Sequence, residues 1–196
     1  THPTSIYGIT KQQQEQMLLL IGKTLNIPVV ALRYQNVYGP GQSLFNPYTG
    51  ILSVFSTRIL NQNDLDIYED GEQTRDFVYI DDVIKATVLA LEKKAANNQI
   101  FNVGSGNSTS VFYVAKKLIE LYKSSVNINI TGKFRHGDIR HNCADLSKIK
   151  KVLGFTPKYD FNTGIGKFSE WVKKQKIYQD NYQDSLAKLS QRGLIK

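Results

Sequence analysis

A phenol and an ammonium stand four residues apart near the start of the chain, in Tyr7-Gly8-Ile9-Thr10-Lys11. On a helix that interval sets both groups on one face. A cation beside a phenol favours the phenolate, so Lys11 can prepare Tyr7 to remove a proton from a hydroxyl group. Such a pair is a general base. Beside a nicotinamide ring, it would let the carbon bearing that hydroxyl pass on a hydride as the proton leaves. Taken alone, the spacing also occurs on ordinary solvated helices, so the surrounding elements must decide.

Those elements read as an α/β fold. Residues 5–25 form a helix capped by Ser5, with an apolar stripe of Met17, Leu18, Leu20, Ile21 and Leu25. Pro28 ends it, and the continuous run through Val29, Val30, Ala31, Leu32, Arg33 and Tyr34 predicts a strand covered on both faces, as in a parallel sheet. Gly, Pro, Asn and Gln then predict a loop over 36–49, at the strand end where open α/β sheets bind ligands. A helix follows over 50–60, then strands over 65–69 and 77–80 around the turn Glu69-Asp70-Gly71-Glu72. Asp81 or Asp82 is expected to cap the next helix, which runs to Lys94. Beyond it the pattern gives a strand over 100–103, a helix over 110–122 capped by Ser110, a strand over 126–131, and helices over 145–153 and 162–175. Residues 177–196 read as a polar tail, and Asn102 as a brace for a turn.

Composition narrows the function classes. The chain has 196 residues, is 41% hydrophobic and 21% charged, and carries a net charge of +8. That charge is spread over lysine pairs such as Lys93-Lys94, Lys116-Lys117, Lys150-Lys151 and Lys173-Lys174, the pattern of solvated helix faces rather than of a nucleic-acid groove. A smaller anion such as a pyrophosphate would be served by two or three arginines. One cysteine, Cys143, rules out an internal disulfide and points to the cytoplasm, and no apolar run is long enough to span a bilayer. His2, His136 and His141 show no metal-ligand spacing with one another or with Cys143, so no metal site is expected. Gly104-Ser105-Gly106 follows a strand and precedes a helix, but Thr109 stands where a dinucleotide fingerprint needs its third glycine.

Four blocks, in order, carry a resemblance. They are Tyr7-x-x-x-Lys11 followed by Arg33-Tyr34-Gln35-Asn36-Val37-Tyr38-Gly39-Pro40-Gly41; Gly71-Glu72-Gln73-Thr74-Arg75-Asp76-Phe77; Phe101-Asn102-Val103-Gly104-Ser105-Gly106; and Arg135-His136-Gly137-Asp138 with Ala144-Asp145. Through about residue 175 the sequence resembles the extended short-chain dehydrogenase/reductase family, NAD-dependent epimerases and dehydratases of nucleotide sugars. The loop 39–51 and the end of the chain, with Trp171, Asp180-Asn181-Tyr182 and Arg192-Gly193-Leu194, are similar to those of dTDP-L-rhamnose 4-epimerases. UDP-glucose-type 4-epimerases and dTDP-glucose 4,6-dehydratases share most of the same blocks.

The resemblance implies roles. Tyr7 would be the acid/base and Lys11 its electrostatic partner, both at the NAD ribose, with Tyr34 near the nicotinamide end. Asn36, Arg75 and Arg135 would hold the substrate diphosphate, Asp138 would lie by the nucleotide's sugar, and Asp66 and Tyr68 would pass along the base. Two planar guanidinium forks can bind phosphate oxygens bidentately and offset a pyrophosphate's charge. The structural alternative for Arg75 is an ion pair with Asp76 or Asp81.

In fold terms, the resemblance implies the C-terminal part of a Rossmann-like parallel sheet plus a small mixed α/β substrate-binding lobe, with the N-terminal dinucleotide-binding half absent. Residues 1–45 would end the Rossmann-like domain. Residues 46–176 would be mainly the nucleotide-sugar lobe, with 77–104 returning to the sheet, and 177–196 the tail. Such a chain is expected to have negligible activity alone and to bind nucleotide weakly as a fragment or split subunit. Its expected partners are a nucleotide-diphosphate sugar, a second copy through helix 5–25, or a separate dinucleotide-binding chain, with neither nucleic acid nor membrane involved.

Overall fold

A computed structural model describes residues 3–45, 50–134, 137–176 and 179–191. The first helix, α1 (Ile6–Leu25), starts where Ser5 takes an extended conformation and its hydroxyl accepts the Gly8 N–H at 3.1 Å. It ends at Asn26, whose left-handed φ of 54° closes the last turn on Gly22 and Lys23. Of its 20 residues only Gly22 is buried. A side chain there would run into Val29 and meet the Ile27 carbonyl oxygen at 2.8 Å, so glycine is what lets the helix lie close over the chain that follows it.

That following chain forms β1 (Val30–Tyr34) and, after Gln35, β2 (Asn36–Tyr38). The two strands diverge in partners: β1 pairs in parallel with β5 (Gln99–Val103), and β2 pairs in parallel with β4 (Thr74–Tyr79). The Gln35 N–H bonds to the Val103 carbonyl at 2.9 Å and keeps the junction in register. A short antiparallel strand, β6 (Ser108–Ser110), adds to β4, while β3 (Leu65–Ile67) pairs in parallel with β7 (Ile128–Ile130). The expected loop over 36–49 therefore begins with a strand, and its residues 46–49 lie outside the described residues.

Side-chain alternation along β4 sends its two faces into two cores. Phe77 and Tyr79 join one with α2 (Ile51–Leu60), α4 (Val111–Tyr122) and α6 (Phe161–Val172), through Leu52, Phe55, Ile59, Val114, Leu118 and Phe168. Val78 joins the other with α3 (Ile80–Glu92), β5 and α5 (Ser147–Leu153), through Val83, Ala86, Phe101, Leu153 and Phe155. Among the described residues no helix is long and apolar enough to cross a membrane.

Three expectations are corrected. β1 is less deeply buried than expected: four of its residues are half-buried and Tyr34 is exposed, although α1 and α3 both contact it, and β5 is its one strand partner among the described residues. Neither Asp81 nor Asp82 caps α3; Tyr79 holds the cap position without a side-chain bond, and the buried Asp82 carboxylate accepts the N–H groups of Lys158 (2.8 Å) and Tyr159 (3.0 Å). The tail contains a helix, α7 (Tyr182–Gln191), at whose start Asp180 accepts the Tyr182 N–H. Ser110, by contrast, caps α4 by accepting the Tyr113 N–H, and Asn102 braces the Asp145 carbonyl, both as the sequence predicts.

Candidate active site

Strand β4 projects Arg75 toward the loop that follows Gly137. One guanidinium nitrogen meets Asp138 at 2.9 Å and the other donates to the carbonyls of Thr74 (2.9 Å) and Arg140 (3.1 Å). Asp138 replaces Asp76 and Asp81 as the expected ion-pair partner, which joins two residues that the sequence assigns to one ligand. Asp76 is occupied elsewhere. Its fully buried carboxylate accepts the Ser105 N–H and hydroxyl, both at 2.7 Å, the Gly106 N–H at 3.0 Å and the Ala144 N–H at 3.1 Å. The turn at Gly104–Gly106 thus spends its amides on a protein carboxylate, so it does not fit a dinucleotide's pyrophosphate.

Asp138 stands on the rim of an open cavity of about 500 Å³, lined by Glu69, Asp70, Gly132, Phe134, Gly137 and Arg140 as well. Arg140 spans it, with one nitrogen 2.6 Å from Glu69 and the other 2.6 Å from Asp70. These bonds hold the Asp70 carboxyl below the usual carboxylate range, Arg140 contributing most and the Glu72 N–H next. The start of α1 leans on the same rim: the Thr4 hydroxyl donates to the Gly137 carbonyl at 3.4 Å, and Gly137, at φ +75°, packs against Ser5.

Tyr7 and Lys11 share one face of α1, the ammonium 5.7 Å from the ring centroid and donating to Gln14 at 3.3 Å. The tyrosine is 71% exposed. An exposed phenol with an ammonium beside it fits the nicotinamide-riboside end of a dinucleotide, which needs an acid/base and a donor to ribose hydroxyls. Helix α1 is tied to β1 by a two-pronged ion pair, Arg33 meeting both Glu15 oxygens at 2.7 Å. The Arg33 hydrogen bonds hold the Glu15 carboxyl below its usual range.

The remaining nominated residues fall into separate places. Tyr34 turns its hydroxyl onto Thr87 of α3 at 2.9 Å; since Thr87 donates to the Val83 carbonyl, Tyr34 is the donor. Asn36 opens β2 opposite Phe77. Asp66 lies in β3 opposite Asn129, whose amide reaches it at 3.4 Å, and Tyr68 follows just beyond the strand, leading into the Glu69–Asp70 turn. Arg135 lies outside the described residues. Tyr38, next to Gly39-Pro40, is a core residue whose phenol burial pushes up in pKa, so it is no proton-transfer group near neutrality.

Sequence reasoning missed the roles of Glu69 and Arg140. Adjacent acids at Glu69-Asp70 and a lone arginine two residues after Asp138 were the available signal, since neighbouring like charges at a ligand-facing turn call for a cation. Among the described residues no group of three or more His, Cys, Asp or Glu side chains is placed to hold a metal ion.

Comparison with known proteins places the chain in a family. A family model described as "NAD dependent epimerase/dehydratase family" matches residues 1–104. The dTDP-L-rhamnose 4-epimerase of Burkholderia thailandensis is 41% identical over 173 residues, 88% of this chain and 47% of that protein. Among solved structures, the UDP-glucose 4-epimerase of Thermotoga maritima with UDP-glucose superposes with a TM-score of 0.80 at 36% identity, covering 88% of this chain and 55% of that one. The UDP-glucuronic acid 4-epimerase of Bacillus cereus, in complex with UDP-glucuronic acid and NAD, gives 0.80 at 32% identity, covering 88% and 54%. The chain spans about half the length of the relatives it matches.

Proposed function

Because the chain belongs to the NAD dependent epimerase/dehydratase family, we propose that it carries the nucleotide-sugar site and the tyrosine–lysine pair of a 4-epimerase acting through a 4-keto sugar. Arg75, Asn36 and Arg135 bind the substrate diphosphate, and Asp138 exchanges its arginine for the hydroxyls of the nucleotide's sugar. Asp66 and Tyr68 face the base. Tyr7, with the Lys11 ammonium beside its ring, takes the proton of the sugar's 4-hydroxyl and later returns one. NAD, when bound, supplies the acceptor and donor of hydride, its nicotinamide-riboside end held by Tyr7, Lys11 and Tyr34. Inversion follows when the 4-keto ring presents its other face before reduction.

The observation that carries this reading is the contact of Thr4 and Ser5 with Gly137. It sets the first turn of the Tyr7 helix against the rim that holds Asp138, and so against Arg75. Calorimetric titration with UDP- and dTDP-sugars tests it: the chain should bind them, and Arg75→Met should weaken binding about tenfold, the loss of one charge-assisted contact. Equal affinity of wild type and R75M would overturn the assignment.

A second reading rests on the exposure of Tyr7. In it this polypeptide binds nucleotide weakly and turns nothing over unless a second copy or a separate dinucleotide-binding chain covers α1. Light scattering at rising concentration, together with an epimerase assay on the isolated chain, distinguishes the two. NAD-dependent turnover by a monomer removes the second reading.

A further inference from the structure

The stretch that carries Asp138 is fastened at both ends to one turn. At its start the Lys133 carbonyl accepts the Glu69 N–H at 2.7 Å, and at its end the Arg140 guanidinium meets the Glu69 and Asp70 carboxylates, each at 2.6 Å. Phe134, Gly137 and Asp138, which line the cavity, lie between the two fastenings. Glu69 holds its place at φ 51°, a left-handed conformation that glycine or asparagine adopts more readily than glutamate. The turn therefore carries backbone strain, and in that strained form it presents adjacent carboxylates to one arginine.

Arg140 reaches in two directions. Its carbonyl accepts the Thr74 N–H at 2.9 Å and one Arg75 nitrogen at 3.1 Å, and the Asn142 N–H returns to the Thr74 carbonyl at 3.2 Å. The other terminal nitrogen of Arg75 meets Asp138 at 2.9 Å, on the same carboxylate oxygen that accepts the Ile139 N–H at 3.1 Å. Fixing residue 140 therefore fixes both members of the Arg75–Asp138 pair. The clasp itself adds little to the stability of the fold, because the Arg140 side chain is 46% and that of Asp70 55% exposed, and solvent screens them.

We infer that Arg140 is a positioning residue for nucleoside-diphosphate binding: clasped to Glu69 and Asp70, it holds the 133–140 stretch so that Arg75 and Asp138 are aimed before the ligand arrives. This rests on the reading above, in which Arg75 takes the diphosphate and Asp138 the sugar's hydroxyls. A stretch already in place loses less freedom on binding, and the difference appears as affinity. Arg140 acts through its neighbours and touches no part of the ligand.

Calorimetric titration of the whole chain with UDP, beside thermal melts, tests the inference. Arg140→Met should bind UDP about fivefold more weakly, the effect of leaving one segment to be ordered on binding, with a melting temperature within about 2 °C of wild type. Arg140→Lys, which still reaches one carboxylate, should recover part of the loss. The decisive variant combines Glu69→Gln with Asp70→Asn, which keeps the acceptor that Asp70 offers the Glu72 N–H. Removing two negative charges would by Coulomb attraction alone tighten an anion, yet E69Q/D70N should weaken UDP about threefold because the clasp slackens. In an Arg75→Met background R140M should have little further effect. Unchanged affinity in R140M, tighter binding in E69Q/D70N, full additivity with R75M, or an affinity loss matched by a melting temperature lowered by more than about 5 °C would each overturn the role. If R75M weakens UDP and R140M does not, this inference falls alone; if wild type does not bind UDP, or R75M binds it equally well, the reading above falls with it.

Discussion

Helices α1 and α2 both carry apolar stripes, yet they end in opposite situations. In the ten residues of α2, Leu52, Ser53, Phe55, Ser56, Arg58 and Ile59 are buried against α4 and β3. In the twenty of α1 one glycine is buried, while Met17, Leu18, Leu20 and Leu25 are each more than half exposed. An apolar stripe shows that a helix has a face to cover; it does not show that the cover lies among the residues beside it. The candidate site straddles this divide, with Arg75 and Asp138 on the packed side and Tyr7 and Lys11 on the open one.

The contrast can be broken or sharpened by substitution. The largest effect is expected at Phe168, fully buried in the core shared by α2, α4 and α6: Phe168→Ala should cost about 3–5 kcal/mol in urea denaturation. A loss below about 1 kcal/mol would mean that core is not the stable side. Next comes Asp76→Asn. It puts an amide among four donors that now share a buried carboxylate, and should cost about 2–3 kcal/mol.

Smaller effects belong to the open side. Glu15→Gln should cost about 0.5 kcal/mol, since Arg33 is over a third exposed and solvent screens the pair. Its pH dependence has a definite sign. The folded Glu15 pKa lies below its ordinary 4.5, so the stabilisation is complete above 4.5 and fades as pH falls through the lowered value. Wild type and E15Q should therefore converge in acid, and a gap that persists there would assign the effect to packing. Leu20→Ser should change monomer stability least, by under about 0.5 kcal/mol. If it costs as much as F168A, the α1 face is covered in solution and the contrast disappears.

Local chemistry was legible in the sequence and distant pairing was not. Ser5 and Ser110 were readable as caps because each bonds an amide three residues on. Asp82 was misread for the complementary reason, since the amides it serves are at Lys158 and Tyr159. The continuous apolar run in β1 showed that it could be buried, but the covering layer is a property of the surroundings. At the site, the spacing of Tyr7 and Lys11 and the motif around Arg75 were readable from residue types. The Arg75–Asp138 pair joins residues 63 positions apart and the Arg140 clasp residues 70 and 71 apart, distances that no local pattern encodes. Helix α7 escaped notice because its hold on the molecule, the Arg58–Asp180 pair and the stacked Tyr182, also lies far away in the chain.

The close pass at Gly22 makes α1 a lever. Tyr7 lies fifteen residues from that fulcrum, roughly 22 Å at the rise of an α-helix. A methyl group inserted under the far end, forcing a tilt of about five degrees, would swing the phenol by roughly 2 Å, a misplacement large enough to matter for proton transfer. A residue with no side chain, fifteen positions away, thus governs the aim of the one proposed to carry the acid/base role.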